Sequence, residues 1–179
     1  SQPHLSFTIG KLNVNYMKYQ GSKNRIAKDI LSVILKDDRV KNCEYWVEPF
    51  VGGANMIDKV KGFKRIGNDI NEYIIKMFQA LQSGWEIPKI DKEKYNELNK
   101  NSKGGYDYCL EYDALIGYAG ICCSYSGKWF GGFADKVKTK IGTIRDYQKE
   151  AKENILKQLP NILDVDFRSV PYNELEIPK

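Results

Sequence analysis

The sequence predicts an α/β fold built around a parallel sheet, with one smaller region inserted into it. Two short runs of strand-forming residues, 45–47 and 65–67, are each followed by a turn and then by apolar residues at helical spacing. When strands alternate with helices, each helix carries the chain back to the same end of the sheet, so the strands run parallel. Hydrophobic residues make up 42% of the chain and charged residues 28%, which is typical of an ordered globular domain.

The elements in the first half of the chain follow from apolar periodicity and from turn residues. A helix is predicted over residues 25–35, where isoleucines recur at helical spacing and Ser22 is placed to cap the first turn. Residues 54–60, after the first strand, are predicted to form a helix with its apolar side chains facing inward. A further helix is predicted through residues 74–81, after the second strand and before a glycine.

The second half of the chain is less regular. Residues 91–103 are polar and indicate a surface helix and loop, whereas residues 106–133 are rich in aromatics and glycine and show no single period. An amphipathic helix is predicted over residues 144–159, ended by Pro160, and a strand over 162–167.

We therefore expect four regions along the chain. Residues 1–16 form a leader that is partly disordered, and residues 17–84 form an α/β core. Residues 85–135 form an inserted lobe, and residues 136–179 return to the core.

Charge and composition favour some partners and disfavour others. The net charge of +5 and the sequence pI of about 8.9 favour an anionic partner, and nucleic acid fits best. No apolar run approaches the ~20 residues that cross a bilayer, and no secretion signal is visible, so we expect a cytoplasmic protein without a membrane partner. The four cysteines form no Cys-x-x-Cys pair, so reduced thiols are expected and a metal site is not.

The residues that follow the two strands carry the main functional signal. The first strand ends in Glu48-Pro49-Phe50-Val51-Gly52-Gly53, and glycines let a backbone turn sharply and approach a ligand closely. Asp69 ends the second strand about 20 residues after Glu48, the spacing at which a carboxylate accepts hydrogen bonds from ribose hydroxyls. Together these features predict a nucleoside-type cofactor between the two strand ends.

Two alternatives to this interpretation stay open. A tight turn in any α/β protein also uses glycine, and a nucleotide-dependent oxidoreductase places a similar acidic residue. A dinucleotide enzyme, however, favours Gly-x-Gly-x-x-Gly, so that pyrophosphate rests on a helix N-terminus. This bend contains only Gly52-Gly53, which favours a cofactor without phosphates, such as S-adenosylmethionine.

Three motifs in a fixed order resemble the Dam-like, D12-class adenine-specific DNA methyltransferases. They are Lys18-Tyr19-Gln20-Gly21-Ser22-Lys23, Val47-Glu48-Pro49-Phe50-Val51-Gly52-Gly53 and Asn68-Asp69-Ile70-Asn71. The resemblance runs from about Met17 to the end of the chain. It implies a Rossmann-like S-adenosylmethionine-dependent methyltransferase fold. Residues 17–84 would be its cofactor-binding core, residues 85–135 its inserted DNA-recognition lobe, and residues 136–179 an incomplete return to the core, with the C-terminal strands missing. It also implies transfer of a methyl group to adenine N6 in double-stranded DNA, in the setting of a phage or a restriction–modification system.

The resemblance implies cofactor roles at matching positions. Tyr19 and Lys23 would contact S-adenosylmethionine or the reaction pocket, the residues from Phe50 to Gly53 would line its methionine end, and Asp69 would hold the ribose. The full set of expected cofactor-binding residues is Tyr19, Lys23, Glu48, Pro49, Phe50, Gly52, Gly53, Asp69 and Ile70.

The resemblance also implies a DNA-contacting region. Gly117-Tyr118-Ala119-Gly120-Ile121-Cys122 resembles the start of the Dam recognition region, and the residues after it are basic and aromatic. An aromatic cluster beneath a loop is the alternative for this segment. Dam enzymes place a guanine-reading arginine just after the shared cysteine, whereas this chain has Cys123 and Ser124, so a GATC target is not expected. The expected DNA-binding residues are Lys18, Tyr118, Cys122, Ser124, Tyr125, Lys128 and Trp129.

No catalytic residue is assigned within the chain. The family binds the adenine amino group with Asp-Pro-Pro-Tyr or a close variant, and no Pro-Pro pair occurs here. Val170-Pro171-Tyr172 lacks the acidic or amide residue and is interpreted as a loop near the cofactor adenine. We therefore expect this polypeptide not to methylate DNA, and a catalytically inactive DNA-binding remnant is the alternative function.

Overall fold

Three short strands form a parallel sheet, as predicted. The computed structural model describes residues 17–105 and 109–178, so the expected leader lies outside the described residues. The strands are β1 (Tyr45–Glu48), β2 (Lys64–Asn68), β3 (Lys136–Lys138), β4 (Ile144–Asp146) and β5 (Asp166–Arg168). The order β1-β2-β5 gives a parallel sheet with β2 in the centre, whereas β3 and β4 form a separate antiparallel ribbon.

Helices connect the strands and begin at polar caps. Asn71, Asp91 and Asp146 each accept hydrogen bonds from backbone N–H groups of the helix that follows, which satisfies donors that have no partner inside the helix. The Ser22 hydroxyl accepts from the Asn24 N–H at the start of the first helix. The helices are α1 (Asn24–Ile34), α2 (Asp38–Lys41), α3 (Glu72–Gln82), α4 (Lys92–Asn101), α5 (Leu110–Cys122) and α6 (Tyr147–Gln158).

The prediction of a helix over residues 54–60 is wrong. Only a single 3-10 turn, Ile57–Lys59, forms there, because Ala54 adopts a left-handed backbone with φ of 58° that does not continue into a helix. Ile57 and Val60 are nevertheless buried, so the apolar residues of this segment face inward as expected. The segment after β1 is therefore a loop with one 3-10 turn at the carboxyl end of the strand.

Two boundaries in the last third of the chain also differ from prediction. Ile144, expected on the apolar face of the helix over 144–159, lies in β4 and is 74% exposed, because α6 begins only after the Asp146 cap. The strand predicted over 162–167 is shorter and starts at Asp166, while Ile162 packs into the core as part of the preceding turn.

Residues 106–133, which show no clear period, contain the buried helix α5. α5 packs against α3, α4 and α6, and its side chains are apolar on nearly all sides. Its sequence therefore shows no amphipathic stripe. At Gly117 the backbones of α5 and α3 come so close that a Cβ would overlap the carbonyl of Tyr73. α5 thus shares one hydrophobic core with α3 and the sheet. Residues 85–135 as a recognition lobe remain a prediction.

The core places the carboxyl ends of the strands on one side. Phe78 of α3 stacks on Phe167 of β5 with ring centroids 4.7 Å apart, and both side chains are buried. Because all three strands of the sheet run parallel, the residues that follow β1, β2 and β5 meet at one edge. The predicted site residues lie at this edge.

Candidate functional site

A cleft opens at the carboxyl ends of β1 and β2. Its cavity volume is about 50 Å³, so it is a narrow cleft that is partly open to solvent. Six of the residues expected to bind the cofactor line it: Tyr19, Lys23, Glu48, Phe50, Gly52 and Gly53. The structure therefore brings together the first two sequence motifs, which are separate in the chain.

Asp69 lies at the glycine bend, where the sequence predicts it. One carboxylate oxygen accepts a hydrogen bond from the Gly52 N–H at 3.0 Å, and the other accepts from the Asn71 N–H at 3.0 Å. Each oxygen keeps a further lone pair. Gly52 has φ of 50°, and a Cβ there would lie 2.8 Å from Cε1 of Tyr19, so the bend requires glycine for both its conformation and its contact with the tyrosine ring.

Glu48 and Lys23 bring opposite charges to the cleft. Burial raises the pKa of the Glu48 carboxyl to about 7, although the Trp46 indole N–H donates to it at 3.0 Å and Lys23 and Lys59 also favour the charged form. Burial likewise raises the pKa of the Tyr19 hydroxyl, and the charge of Asp69 raises it further. The cleft thus holds groups suited to bind both an ammonium and a carboxylate.

An apolar rim surrounds the outer side of the cleft. Phe50 after β1, Ile70 after β2 and Tyr172 after β5 are 62%, 68% and 66% exposed. Phe50 and Tyr172 approach with ring centroids 5.7 Å apart. Aromatic faces such as those of Phe50 and Tyr172 are suited to the planar base of a nucleoside.

Asn68 joins the three strand ends and has no role in the sequence prediction. Its side-chain amide donates to the carbonyls of Pro49 at 3.2 Å and Val170 at 2.9 Å, and its oxygen accepts from the Val170 N–H at 3.0 Å. Asn68 is 1% exposed. The position of Pro49, one of the expected site residues, is therefore fixed by an amide from β2.

Asn55 and Gln158 hold the glycine bend in place through hydrogen bonds, and neither is among the predicted site residues. The Asn55 amide donates to the carbonyl of Met17 at 2.8 Å and to the hydroxyl of Ser22 at 2.9 Å. The Gln158 amide, from α6, donates to the carbonyl of Gly53 at 3.0 Å. No local pattern announces these contacts, because each joins segments that are distant in sequence.

The burial of three expected DNA-binding residues corrects their assignment. Tyr118 is 0% exposed inside the core, and Cys122 is 5% exposed, with its thiol pKa raised to about 12 by burial. The hydroxyl of Ser124 bonds to that of Tyr95 at 2.8 Å and donates to the carbonyl of Ala119 at 3.1 Å. These side chains pack around α5, and Cys122 and Ser124 also line a groove between the turn after α5 and α6.

The other four expected DNA-binding residues lie at or near the surface. Lys128 is exposed and Tyr125 is 44% exposed. Trp129 is half-buried, with its ring stacked on Tyr73 at a centroid distance of 6.2 Å, which indicates a packing role. Lys18 is half-buried, and its ammonium lies 5.6 Å from the ring centroid of Tyr147.

The described residues contain no group of potential metal ligands and no helix that could span a membrane. Within residues 17–105 and 109–178, no three histidine, cysteine, aspartate or glutamate side chains come together as potential ligands. No helix in those ranges has the length and apolar character that crossing a bilayer requires.

Comparison with known proteins identifies the family. A search of curated proteins gave no match. The family model described as D12 class N6 adenine-specific DNA methyltransferase matches residues 19–165. This range includes the glycine bend, Asp69 and the exposed Lys128. Enzymes of this class use S-adenosylmethionine as methyl donor and methylate adenine in DNA. The chain belongs to the D12 class of N6 adenine-specific DNA methyltransferases.

Proposed function

We propose that the cleft at the ends of β1 and β2 is the S-adenosylmethionine site of this methyltransferase. The observation that carries the proposal is the hydrogen bond from the Gly52 N–H to the carboxylate of Asp69. It fixes an acceptor for ribose hydroxyls beside a backbone bend that has no room for a Cβ. When bound, S-adenosylmethionine supplies an electrophilic methyl group on a sulfonium.

The other groups at the cleft match the remaining parts of such a cofactor. Glu48 is placed to bind the ammonium of the methionine part, and Lys23 its carboxylate. The exposed rim of Phe50, Ile70 and Tyr172 is suited to cover the adenine, which is flat and apolar on its faces. We propose that Tyr19, Pro49 and Gly53 complete the site through shape, in a Rossmann-like arrangement of strand ends.

DNA is the second partner in this proposal. Lys18 lies against the turn at Gly127, which follows Tyr125 and precedes Lys128, and the chain carries a net charge of +5. Lysines beside an exposed aromatic ring suit a backbone-contacting surface, because phosphates supply most of the affinity for duplex DNA.

Calorimetry with S-adenosylhomocysteine tests the cofactor assignment. We expect Asp69→Asn to lower the affinity at least tenfold, since the neutral amide accepts ribose hydrogen bonds more weakly and offers one oxygen instead of two. Asparagine is preferable to alanine because an acceptor remains for one of the two N–H groups that Asp69 satisfies.

A matched variant separates the site from a general charge effect. Asp166→Asn removes the same charge from an exposed carboxylate that pairs with Arg168 on β5, away from the cleft. We expect this variant to bind S-adenosylhomocysteine like the unmodified protein. Unchanged affinity in Asp69→Asn, or an equal loss in both variants, would remove Asp69 from the site.

A further inference from the structure

The side chain of Asn55 fastens a loop, residues 17–22, to the glycine bend. Its amide nitrogen donates to the Met17 carbonyl at 2.8 Å and to the Ser22 hydroxyl at 2.9 Å. These two acceptors are the two ends of the loop, so a single amide clamps both ends. Asn55 is 4% exposed, and loss of its contacts would leave buried polar groups without partners.

Gln158, at the end of helix α6, fixes the orientation of this amide. Its side-chain nitrogen donates to the Asn55 oxygen at 3.4 Å and to the Gly53 carbonyl at 3.0 Å, and Gln158 is 1% exposed. Because the Asn55 oxygen is engaged on that side, its two amide hydrogens face the loop. Asn55 also lines the cleft, but both of these hydrogens are used by the loop.

The loop packs directly on the second glycine of the bend. A Cβ on Gly53 would lie 2.9 Å from Cβ of Tyr19, 2.9 Å from the amide nitrogen of Asn55 and 3.1 Å from Cε of Met17. Two of these distances are shorter than contacts of a Cβ atom normally are, so a side chain at this position would push the loop away. Gly53 therefore leaves room for a loop of the protein itself.

The loop places two of the side chains that line the cleft. Tyr19 lies within the loop and Lys23 directly follows it. On its other side, the Gln20 N–H donates to the Gly127 carbonyl at 3.1 Å, so the loop is held between the glycine bend and the turn after α5. Loss of the amide clamp would release the loop from the bend and leave this backbone contact in place.

We propose that Asn55 is a positioning residue for cofactor binding, which acts by holding Tyr19 and Lys23 in the cleft through the loop. The proposal rests on the cofactor site proposed above. A ligand that meets a loop already in its bound arrangement loses less free energy to ordering, so the clamp raises the affinity for the cofactor. The effect concerns the side of the cleft formed by the loop, whereas Asp69 is held from β2 and the glycine bend.

Hydrogen–deuterium exchange without cofactor tests the clamp itself. We expect Asn55→Ala to speed exchange in a peptide that covers residues 18–23, because local opening of the loop exposes the hydrogen-bonded N–H groups of Gln20 and Ser22. Gln82→Ala is the matched control. The Gln82 amide nitrogen also donates twice, to the carbonyls of Ile162 and Val165 at 2.9 and 2.8 Å, but just before β5 at the opposite edge of the sheet. It should leave exchange in residues 18–23 unchanged.

Calorimetry with S-adenosylhomocysteine tests the function of the clamp. We expect Asn55→Ala to lower the affinity about tenfold, since two hydrogen bonds that order the loop are lost, and Gln82→Ala to leave it unchanged. Lys23→Gln should lower the affinity in the unmodified background and much less in the Asn55→Ala background, because a released loop no longer places Lys23 in the cleft. Asp69→Asn should lower it by the same factor in both backgrounds.

A milder variant covers the case in which Asn55→Ala does not fold. Ser22→Ala removes one of the two acceptors at a half-buried position. We expect it to speed exchange in residues 18–23 and to lower the affinity for S-adenosylhomocysteine less than Asn55→Ala does. In the double variant it should add little to the loss caused by Asn55→Ala, since both changes open the same clamp.

Two results would overturn the positioning role alone. One is unchanged exchange in residues 18–23 of both Asn55→Ala and Ser22→Ala. The other is a loss of affinity in Asn55→Ala that simply adds to that of Lys23→Gln, which would make Asn55 a direct contact of the cofactor. Both can occur while Asp69→Asn still weakens binding, so they leave the cofactor site standing. Failure of the unmodified chain to bind S-adenosylhomocysteine would reject the cofactor site and the positioning role together.

Discussion

At the scale of single residues, Glu48 shows a conflict between folding and binding. Its carboxyl is drawn out of water by the fold, and burial outweighs the favourable contributions of Trp46 and Lys23. A group of this kind costs stability in its charged form. It is retained, in our proposal, because the charged form binds the ammonium of the cofactor.

This conflict predicts how stability depends on pH. The folded pKa of about 7 lies above the ordinary value of 4.5, so the folded state holds a proton that the unfolded state has lost between these pH values. The free energy of unfolding contributed by this group therefore falls as pH rises from about 4.5 to 7. Glu48→Gln should raise the stability at pH 8 by on the order of 2 kcal/mol and leave it nearly unchanged at pH 4.

Urea denaturation of both proteins at pH 4, 6 and 8 would measure this difference. The slope of the free energy against urea should stay the same, because the substitution changes no buried area. A stabilisation of equal size at all three pH values would show that the effect comes from packing and not from ionisation.

Residue-scale prediction from the sequence worked where a motif carries both a residue type and a spacing. The spacing from Glu48 to Asp69 predicts that Asp69 lies at the glycine bend, and a hydrogen bond joins it to Gly52 there. Asn68, one residue earlier, went unassigned because its partner Val170 is about a hundred residues away and has no recognisable spacing. Tyr118 was misplaced because an aromatic in a glycine-rich segment fits a buried helix as well as a binding loop.

At the scale of elements, the α3–α5 contact depends on a residue without a side chain. A Cβ on Gly117 would overlap the backbone carbonyl of Tyr73, which belongs to the neighbouring helix and cannot rotate away. Close helix packing of this kind explains why α5 keeps a glycine in its interior, although glycine costs about 1 kcal/mol relative to alanine in a helix.

Gly117→Ala therefore tests two opposing effects. Helix propensity alone predicts stabilisation of about 1 kcal/mol, whereas overpacking costs about 1–3 kcal/mol or more. Because the overlap is with backbone, we expect overpacking to win and the melting temperature to fall. Gly131→Ala is the milder comparison, since the nearest atoms to its Cβ would be Cβ, Cγ and Cδ of Lys128 at 2.9–3.0 Å, a side chain that can shift where a backbone carbonyl cannot. A melting temperature of Gly117→Ala at or above that of the unmodified protein would contradict the close packing.

Element-scale prediction succeeded for α1, α3, β1 and β2, was too long for β5, and failed for α5, for β3 and β4, and for the segment after β1. An amphipathic helix reveals itself because one face is polar, whereas α5 is covered on several sides and shows no contrast between faces. The segment after β1 has helical spacing, but the left-handed conformation of Ala54 follows from the bend that the glycines create. Periodicity in the sequence shows neither how deeply a helix such as α5 is buried nor that a residue such as Ala54 has a positive φ.

At the scale of the whole molecule, residues 17–23 join the cofactor cleft to the turn after α5. Asn55 anchors this segment through Met17 and Ser22, and the carbonyl of Gly127 anchors it from the other side. A displacement of this segment would move Tyr19 and Lys23, which line the cleft.

The last prediction concerns the dependence of methyl transfer on the proposed cofactor site. The N6 amino group must lie with its lone pair facing the methyl group on the sulfonium of the cofactor. The cofactor must therefore be held in one place while the adenine approaches it. In our proposal the carboxylate of Asp69 fixes the ribose of the cofactor, and with it the position of the methyl group.

We therefore expect any N6-methyladenine formation to weaken when Asp69 is changed. Incubation with tritium-labelled S-adenosylmethionine and unmodified DNA, followed by mass spectrometry of the nucleosides, would measure this. At a cofactor concentration below the Kd, Asp69→Asn should form at least tenfold less N6-methyladenine than the unmodified protein, because it binds the cofactor more weakly. Asp166→Asn, which changes an exposed carboxylate on β5, should match the unmodified protein. Equal product from Asp69→Asn and the unmodified protein would remove Asp69 from the cofactor site.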